Sequence, residues 1–331
     1  MPKAIKNIIP ILLIMIILFC VLTSCTGDIE NEYDDAYDCW VFSKPTGELL
    51  KLDNQDMTII ERTKGFENVV SIAVDPDDSC VLVLDRTKKA VIFLDSHGSI
   101  TKHIYGFEDP TKLVYNPSNK TFWVADKNRL IHLSQDGDIE NIITGFGEIK
   151  DIDCAYNFGG RIWLASSDGY VALIDPDGDE NCRFELEEPI LVEAEKGSGL
   201  NWCWVASGKD GNIFCIDENG EQKYPMEGEG DRNYGENPII FEYSPSDSTL
   251  WVGYDNGRIY RLDAVGLNSW GDDYINVGEI GGLAIDNSLR FAWVADSGSN
   301  KILQIDPSGA IIQTKKGIAS PGACGVVNKI F

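Results

Sequence analysis

Acidic residues recur along this chain at nearly regular intervals, each just before a short apolar segment. The recurrent acids are Glu67, Asp109 (or its neighbour Glu108), Glu148, Glu188, Glu236 and Glu279. Carboxylate oxygens are the ligands that Ca²⁺ prefers, and carboxylates brought together repel one another unless a cation or water screens them. Two interpretations stay open: solvated carboxylates that help turn geometry, which we favour, or a ring of ligands for Ca²⁺.

A second candidate for chemistry is one long polar insertion, residues 224–238, with the sequence YPMEGEGDRNYGENP. Long loops on a rigid scaffold are favoured sites for binding. The side chains expected to contact a partner are Tyr224, Met226, Asp231, Arg232, Asn233 and Tyr234. The alternative is a surface insertion without a role. Trp270, in a polar segment, could likewise stack on a sugar or simply pack a loop.

The sequence gives little indication of catalysis by a nucleophile or by an acid–base pair. The three histidines, His97, His103 and His132, occupy non-equivalent positions in the repeats described below. The sequence has no Gly-x-Ser-x-Gly, His-Glu-x-x-His or phosphate-loop motif. We therefore assign no catalytic residues and expect a role other than catalysis.

The cysteines share no spacing typical of zinc sites, and most are expected to pack as buried thiols. Cys203 and Cys215 would face each other if their hairpin centres on Lys209. Cys39 and Cys324 fall on two segments expected to pair, but Cys324 aligns opposite Val41, two residues out of register. A disulfide is therefore open for either pair.

These residues belong to a repeated unit that begins near Cys39. The clearest copy is residues 282–309, GLAIDNSLRFAWVADSGSNKILQIDPSG. One position recurs as Trp40, Leu82, Trp123, Trp163, Trp204, Trp251 and Trp293. The spacings are 42, 41, 40, 41, 47 and 42 residues, a period typical of β-propeller blades.

Each repeat is predicted to form four antiparallel strands, a to d. Asp168-Gly169, Asp210-Gly211 and Asn256-Gly257 are hairpin signals, because tight turns require a positive φ. No segment after Leu22 shows a convincing helical period. The sequence therefore predicts an all-β, seven-bladed β-propeller.

The two ends of the repeat region are complementary. Residues 324–328 match strand a but have no b, c or d after them, whereas residues 39–42 match strand b with no a before them. The last blade is thus predicted to combine C-terminal strand a with N-terminal strands b to d. Such closure removes exposed sheet edges.

The repeats resemble NHL and YVTN-type propeller repeats, whose consensus also ends strand b in Val-Ala-Asp and strand c in Asp before a glycine turn. The Gly-His and Trp-Asp signature of WD-type repeats is absent. This resemblance implies a fold and leaves function open, because propellers serve as binders, scaffolds and enzymes.

The N-terminal segment resembles the signal peptide of bacterial lipoproteins. Lys3 and Lys6 precede an apolar run over residues 8–22, which is short for a membrane span. Leu22-Thr23-Ser24-Cys25 then resembles a lipobox, which implies cleavage before Cys25 and its lipidation. We therefore divide the chain into a signal peptide (1–24), an acidic tether (25–37) and the propeller (38–331). Thr26, where an Asp would signal inner-membrane retention, favours the outer membrane.

The net charge of −25 argues against nucleic acid as a partner, because phosphate backbones require basic patches. An anchor, a tether and a rigid propeller predict a cell-envelope lipoprotein that binds a protein or a glycan. The alternative is a metal-dependent enzyme resembling the lactonases of propeller fold, with axial carboxylates holding Ca²⁺.

Overall fold

The computed structural model describes residues 38–75, 80–156, 159–197, 199–225, 237–268, 274–287 and 290–326. These residues form seven antiparallel sheets of four strands each. No helix among them is long and apolar enough to cross a bilayer. The signal peptide, Cys25 and the tether lie outside the described residues.

Each blade contributes one strand to each of four positions, which we call inner, second, third and outer. The inner strands are β4 (Val69–Asp75), β8 (Pro110–Asn116), β12 (Ile149–Cys154), β16 (Pro189–Ala194), β20 (Pro238–Ser244), β24 (Ile280–Asp286) and β28 (Pro321–Val326). The second strands are β1 (Cys39–Ser43), β5 (Cys80–Asp85), β9 (Thr121–Asp126), β13 (Ile162–Ser166), β17 (Cys203–Ser207), β21 (Thr249–Tyr254) and β25 (Phe291–Asp296).

The remaining two positions complete each sheet. The third strands are β2 (Glu48–Leu52), β6 (Ala90–Leu94), β10 (Arg129–Leu133), β14 (Tyr170–Ile174), β18 (Ile213–Ile216), β22 (Arg258–Asp263) and β26 (Lys301–Ile305). The outer strands are β3 (Ile59–Lys64), β7 (Ile100–Tyr105), β11 (Ile139–Ile143), β15 (Glu180–Glu185), β19 (Gln222–Tyr224), β23 (Ile275–Asn276) and β27 (Ile311–Lys316).

The recurrent tryptophan position forms the core between blades. All seven of its residues lie in second strands and are at most 2% exposed. Second and third strands are covered on both faces, and their sequences are therefore largely apolar throughout. Outer strands such as Ile59–Lys64 instead alternate between partly buried and exposed residues. Each inner strand contacts the inner strands of the two neighbouring blades. Because β28 also contacts β4, the inner strands form a closed ring. The predicted seven-bladed propeller is confirmed.

The predicted closure between the two ends of the described propeller is confirmed. Strand β28 pairs antiparallel with β1, and β1 continues into β2 and β3 of the same sheet. Cys324 lies opposite Val41, as the repeat alignment predicted. The blade therefore joins segments from opposite ends of the sequence.

Aspartates at the ends of the second strands bind the backbone of the segment that leads into the inner strand of their own blade. Asp85 accepts hydrogen bonds from the backbone N–H groups of Glu67 and Asn68, at 2.8 and 3.2 Å. Asp126 and Asp296 accept equivalent bonds in their blades. Asp255 differs, because it accepts from the side-chain amide of Asn237 at 2.9 Å.

Cys203 and Cys215 do not face each other, because their hairpin does not centre on Lys209. Cys215 lies opposite Trp204, and Cys203 lies opposite Ile216, so the two thiols lie on opposite faces of the sheet. A backbone bond from Ser207 N–H to the Asn212 carbonyl, 2.9 Å, closes the turn, which centres between Lys209 and Asp210 rather than on Lys209. All seven described cysteines are free thiols, Cys39 and Cys324 included.

Candidate functional site

The inner-strand residue opposite the recurrent tryptophan position differs between blades. Four blades place a small or apolar residue there: Ala73, Val114, Ala284 and Gly325. Three consecutive blades place an acid there instead: Asp153, Glu193 and Glu242. Two residues earlier on their strands, Lys112 and Asp151 extend this charged wall. The ring of inner strands is thus charged on one side and apolar on the other.

A cavity of about 660 Å³ lies along the inner strands between these two walls. Its charged wall includes Lys112, Asp153, Glu193, Lys196 and Glu242. The facing wall includes Ile72, Ala73, Gly281, Gly282, Leu283, Ala323 and Cys324. The cavity also reaches Tyr156 and Lys196, which follow the C-terminal ends of β12 and β16.

Three of the carboxylates bind the backbone of the next blade. Asp151 accepts a hydrogen bond from Val192 N–H at 3.1 Å, and Asp153 accepts one from Ala194 N–H at 2.9 Å. In the following blade, Glu193 accepts from Tyr243 N–H at 2.9 Å. These bonds fix the side chains and join the inner strands of successive blades.

Two lysines neutralise part of this wall. Lys196 Nζ lies 2.6 Å from Glu193 Oε1 and 3.7 Å from Asp153 Oδ2. The same ammonium lies 5.7 Å from the centre of the Tyr156 ring, a cation–π arrangement. Lys112 Nζ lies 3.4 Å from Asp151 Oδ1, and 35% of its side chain is exposed, at the wall of the cavity.

Glu242 stands apart from this network. It lines the cavity and is partly buried, yet within the described part of the chain no hydrogen bond or ion pair to its carboxylate is found. Its charged neighbours are Lys196, Lys112, Asp153 and Asp151. Three carboxylates thus line the cavity with two lysines, and Glu242 is the one for which no bond or ion pair to the carboxylate is found among the described residues.

Burial makes ionisation of two of these acids unfavourable. It raises the pKa of Glu193 to about 8, against the opposing effect of Lys196. It raises the pKa of Glu242 to about 7, where the lysines oppose the shift and Asp153 and Asp151 add to it. Burial would lower the pKa of Lys112, but the carboxylates around it outweigh burial and raise that pKa. The lysines therefore stay charged, while Glu193 and Glu242 take up and release protons near neutral pH.

The recurrent junction acids lie elsewhere. Glu67, Glu148, Glu188 and Glu279 are exposed, and Asp109 is partly exposed, all just before the N-terminal ends of inner strands. Asp109 pairs with Arg86 at 2.6 Å, and Glu148 pairs with Lys150 at 2.8 Å. Among the residues described, no group of three His, Cys, Asp or Glu side chains could hold a metal ion. Glu236 lies outside them, and calcium binding stays a prediction.

Most of the predicted binding loop also lies outside the described residues, namely Met226, Asp231, Arg232, Asn233 and Tyr234, as does Trp270. Tyr224 is described, at the end of β19. It is partly buried, and its ring packs edge-on against Trp202 with 5.8 Å between ring centres. Tyr224 therefore contributes to packing within its blade.

The cavity acids were missed in the sequence although a signal was present. Aligning each inner strand on its tryptophan would have shown Asp153, Glu193 and Glu242 replacing the Ala, Val or Gly of the other copies. The alignment is hidden because the turn before the second strand differs in length between blades, so that Asp153 lies ten and Glu193 eleven residues before its tryptophan.

The fold is shared with solved structures of low sequence identity. A streptogramin B lyase structure matches with a TM-score of 0.64 and 17% identity, over 78% of this chain and 87% of that one. A functionally unknown protein from Desulfotomaculum acetoxidans DSM 771 matches with a TM-score of 0.71 and 13% identity, over 88% and 99%. Kuenenia stuttgartiensis hydrazine synthase matches with a TM-score of 0.71 and 15% identity, over 84% and 94%. At these identities the likeness shows the fold alone.

No protein-family model matches this sequence, and a comparison with curated proteins gives no match.

Proposed function

We propose that this protein is a lipid-anchored cell-envelope protein whose propeller binds a partner through its axial cavity. The observation that carries the binding role is the cavity itself, with fixed charges on one wall and small apolar residues on the other. Its volume of about 660 Å³ lies within the range of small-molecule sites. Inter-blade hydrogen bonds hold two of its three lining acids, Asp153 and Glu193, in place before any ligand arrives, which limits the entropy lost on binding.

The partner is a protein or a glycan of the envelope, of which one side chain or one sugar unit enters the cavity. The WVAD-type second strands support assignment of the repeats to the NHL and YVTN type. The insertion at 224–238 connects β19 with β20, and Tyr156 and Lys196 follow inner strands β12 and β16, so the partner is expected to contact these two parts of the sequence.

The anchor is supported by the lipobox-like residues before Cys25 and by the acidic segment after it. The full chain and its Cys25→Ala variant, expressed in a Gram-negative host, test this part. We expect the full chain in the detergent phase of a phase separation, with labelled fatty acid on the protein. We expect the variant to lack the label. Equal labelling of both would overturn the anchor.

The binding role is tested separately with the full chain in non-ionic detergent. Intrinsic fluorescence of its eight tryptophans would report thermal unfolding during a screen of small cations, anions, sugars and alcohols. We expect at least one class to raise the melting temperature. The effect should disappear when Ala73→Phe fills the apolar wall, while Ile60→Phe on outer strand β3 should preserve it. A screen in which no class acts would contradict the proposal.

A further inference from the structure

The cavity lining specifies the chemical class of its occupant. We propose that the axial cavity binds a small organic cation, an ammonium group on an apolar body, with the ammonium at Glu242 and the body against the wall formed by Ala73, Gly282, Leu283 and Ala323. This inference rests on the proposed binding role of the cavity and goes further by naming the charge and shape of the ligand.

The two lysines of the cavity wall are already paired with carboxylates. Lys112 lies against Asp151, and Lys196 lies against Glu193 and Asp153. An anionic ligand would have to take a lysine from its carboxylate. A cation needs no such exchange, because Glu242 lines the cavity and, among the described residues, no ion pair engages its carboxylate.

The lining of the cavity favours an organic cation over a metal ion. Asp151, Asp153 and Glu193 each use an oxygen on the backbone of the next blade. Among the residues described, no three ligating side chains converge on one point. A metal ion requires several oxygens around it, whereas an ammonium is held by one carboxylate and apolar contact.

The charged wall already holds one ammonium group, that of Lys196. Lys196 places its Nζ against Glu193 and over the Tyr156 ring on the same wall. Carboxylate and aromatic groups here thus hold a primary ammonium out of bulk water. A ligand ammonium at Glu242 would likewise lie beside a carboxylate on this wall, one blade further along.

Binding of this cation is coupled to a proton. Glu242 faces Lys112 from β8, Asp151 and Asp153 from β12, and Glu193 and Lys196 from β16 and its following turn. On the other side β24 presents Gly281, Gly282 and Leu283, which do not titrate. A Glu242 carboxyl that holds a proton must release it to pair with an ammonium, so affinity should fall by about tenfold from pH 8 to pH 6.

Three ligands of equal shape test the charge preference: cyclohexylammonium, cyclohexanol and cyclohexanecarboxylate. Isothermal titration calorimetry with the full chain in non-ionic detergent measures each. We expect cyclohexylammonium to bind at one per chain, at least about tenfold more tightly than cyclohexanol, and the carboxylate not to bind. Heat measured at pH 7 in two buffers of different ionisation enthalpy should show proton release on cation binding.

Variants assign the effect to one side chain. Glu242→Gln should weaken cyclohexylammonium about tenfold and leave cyclohexanol unchanged. Glu242→Asp should keep the preference for the cation. Glu185→Gln, an exposed residue at the end of β15, removes the same charge from the surface and should leave all three affinities unchanged.

The outcomes separate the two proposals. Binding of cyclohexanol or the carboxylate in preference to the cation would overturn the cation assignment and keep the cavity as a binding site. Equal loss of cation binding in Glu242→Gln and Glu185→Gln would also overturn it, because the effect would then come from the overall negative charge. If none of the three ligands binds, the cation assignment fails, and the screen described above decides separately whether the cavity binds a ligand of another class.

Discussion

At the scale of single residues, the cavity is defined by a conflict between burial and charge. Glu193 and Glu242 have raised pKa values because the inner strands and the neighbouring blades exclude water from them. Ionising a carboxyl group whose pKa is raised by burial destabilises the fold. The presence of these acids in adjacent blades, where other blades use Ala, Val or Gly, therefore supports the binding role that we propose for the cavity.

This conflict predicts a pH dependence of stability. The pKa of Glu242 is about 7 in the folded chain and near 4.5 when exposed, so the folded state binds this proton more tightly. The stabilisation that comes from protonated Glu242 is fully present below about pH 4.5 and is lost as the pH rises through 7. Glu242→Gln should therefore melt at a temperature about 5 °C above the unsubstituted protein at pH 9, with a smaller difference at pH 5.5.

The control for this measurement is Glu185→Gln, since it changes the net charge equally without touching the cavity. Fluorescence-detected melting at both pH values gives the comparison. A pH-independent difference for Glu242→Gln would contradict the raised pKa.

The Lys196 ammonium is predicted to be essential for stability. Its side chain is only 13% exposed, and removing it leaves Glu193 and Asp153 without their closest cation. Lys196→Met should cost about 3 kcal/mol at pH 8 in urea unfolding. Adding Glu193→Gln should recover part of that loss, because the two residues are coupled.

The exposed pair of Lys209 and Glu187 provides the comparison. Lys209→Met removes a surface ion pair whose lysine is 53% exposed and should cost under about 1 kcal/mol. Similar losses in the free energy of unfolding for Lys196→Met and Lys209→Met would show that the Lys196 ion pairs stabilise the protein no more than a surface ion pair does.

At the scale of elements, the inner strands determine the shape of the cavity. Strands β24 and β28 approach closely because Gly281 and Gly282 have no side chains. A Cβ on Gly282 would lie 2.6 Å from the Gly322 carbonyl oxygen and 2.9 Å from Cys324 N. Both obstacles are backbone atoms, which cannot rotate away.

Gly282→Ala should therefore destabilise the protein by about 2 kcal/mol, since overpacking would force these inner strands apart. Gly322→Ala in the facing strand is the matched control, because its Cβ would meet a flexible Lys44 side chain at 3.2 Å. Urea unfolding of the two variants measures the difference. An equal effect would contradict the close approach of β24 and β28.

The elements also show how far sequence reasoning reaches. The tryptophan spacing predicted the blades because each tryptophan fills the same space between sheets, and the orphan strand at each end predicted the closure. The position of Asp153, Glu193 and Glu242 could not be read in the same way. It depends on the turn before each second strand, which differs in length between blades, and the junction acids, which recur in sequence more visibly, lie at the surface.

At the scale of the whole molecule, stability depends on the ring being closed. Removing residues 322–331 leaves Pro321 as the only residue of β28, which exposes the edge of β1 and breaks the contacts of β28 with β24 and β4. We expect the melting temperature to fall by at least about 10 °C, or cooperative unfolding to disappear. Removing only residues 327–331 keeps β28 whole and is the control. Unchanged melting of the longer deletion would contradict closure by β28.

The pairing of β28 with β1 also has a consequence during synthesis. The ribosome makes β1, which begins at Cys39, long before β28, which begins at Pro321. At elongation rates of about 5–20 residues per second, β1 waits on the order of 15–60 s for its partner. During that interval an open edge is available to any extended peptide. For the export that we propose, this interval is a delay in which a holding chaperone can keep the chain unfolded until it is translocated.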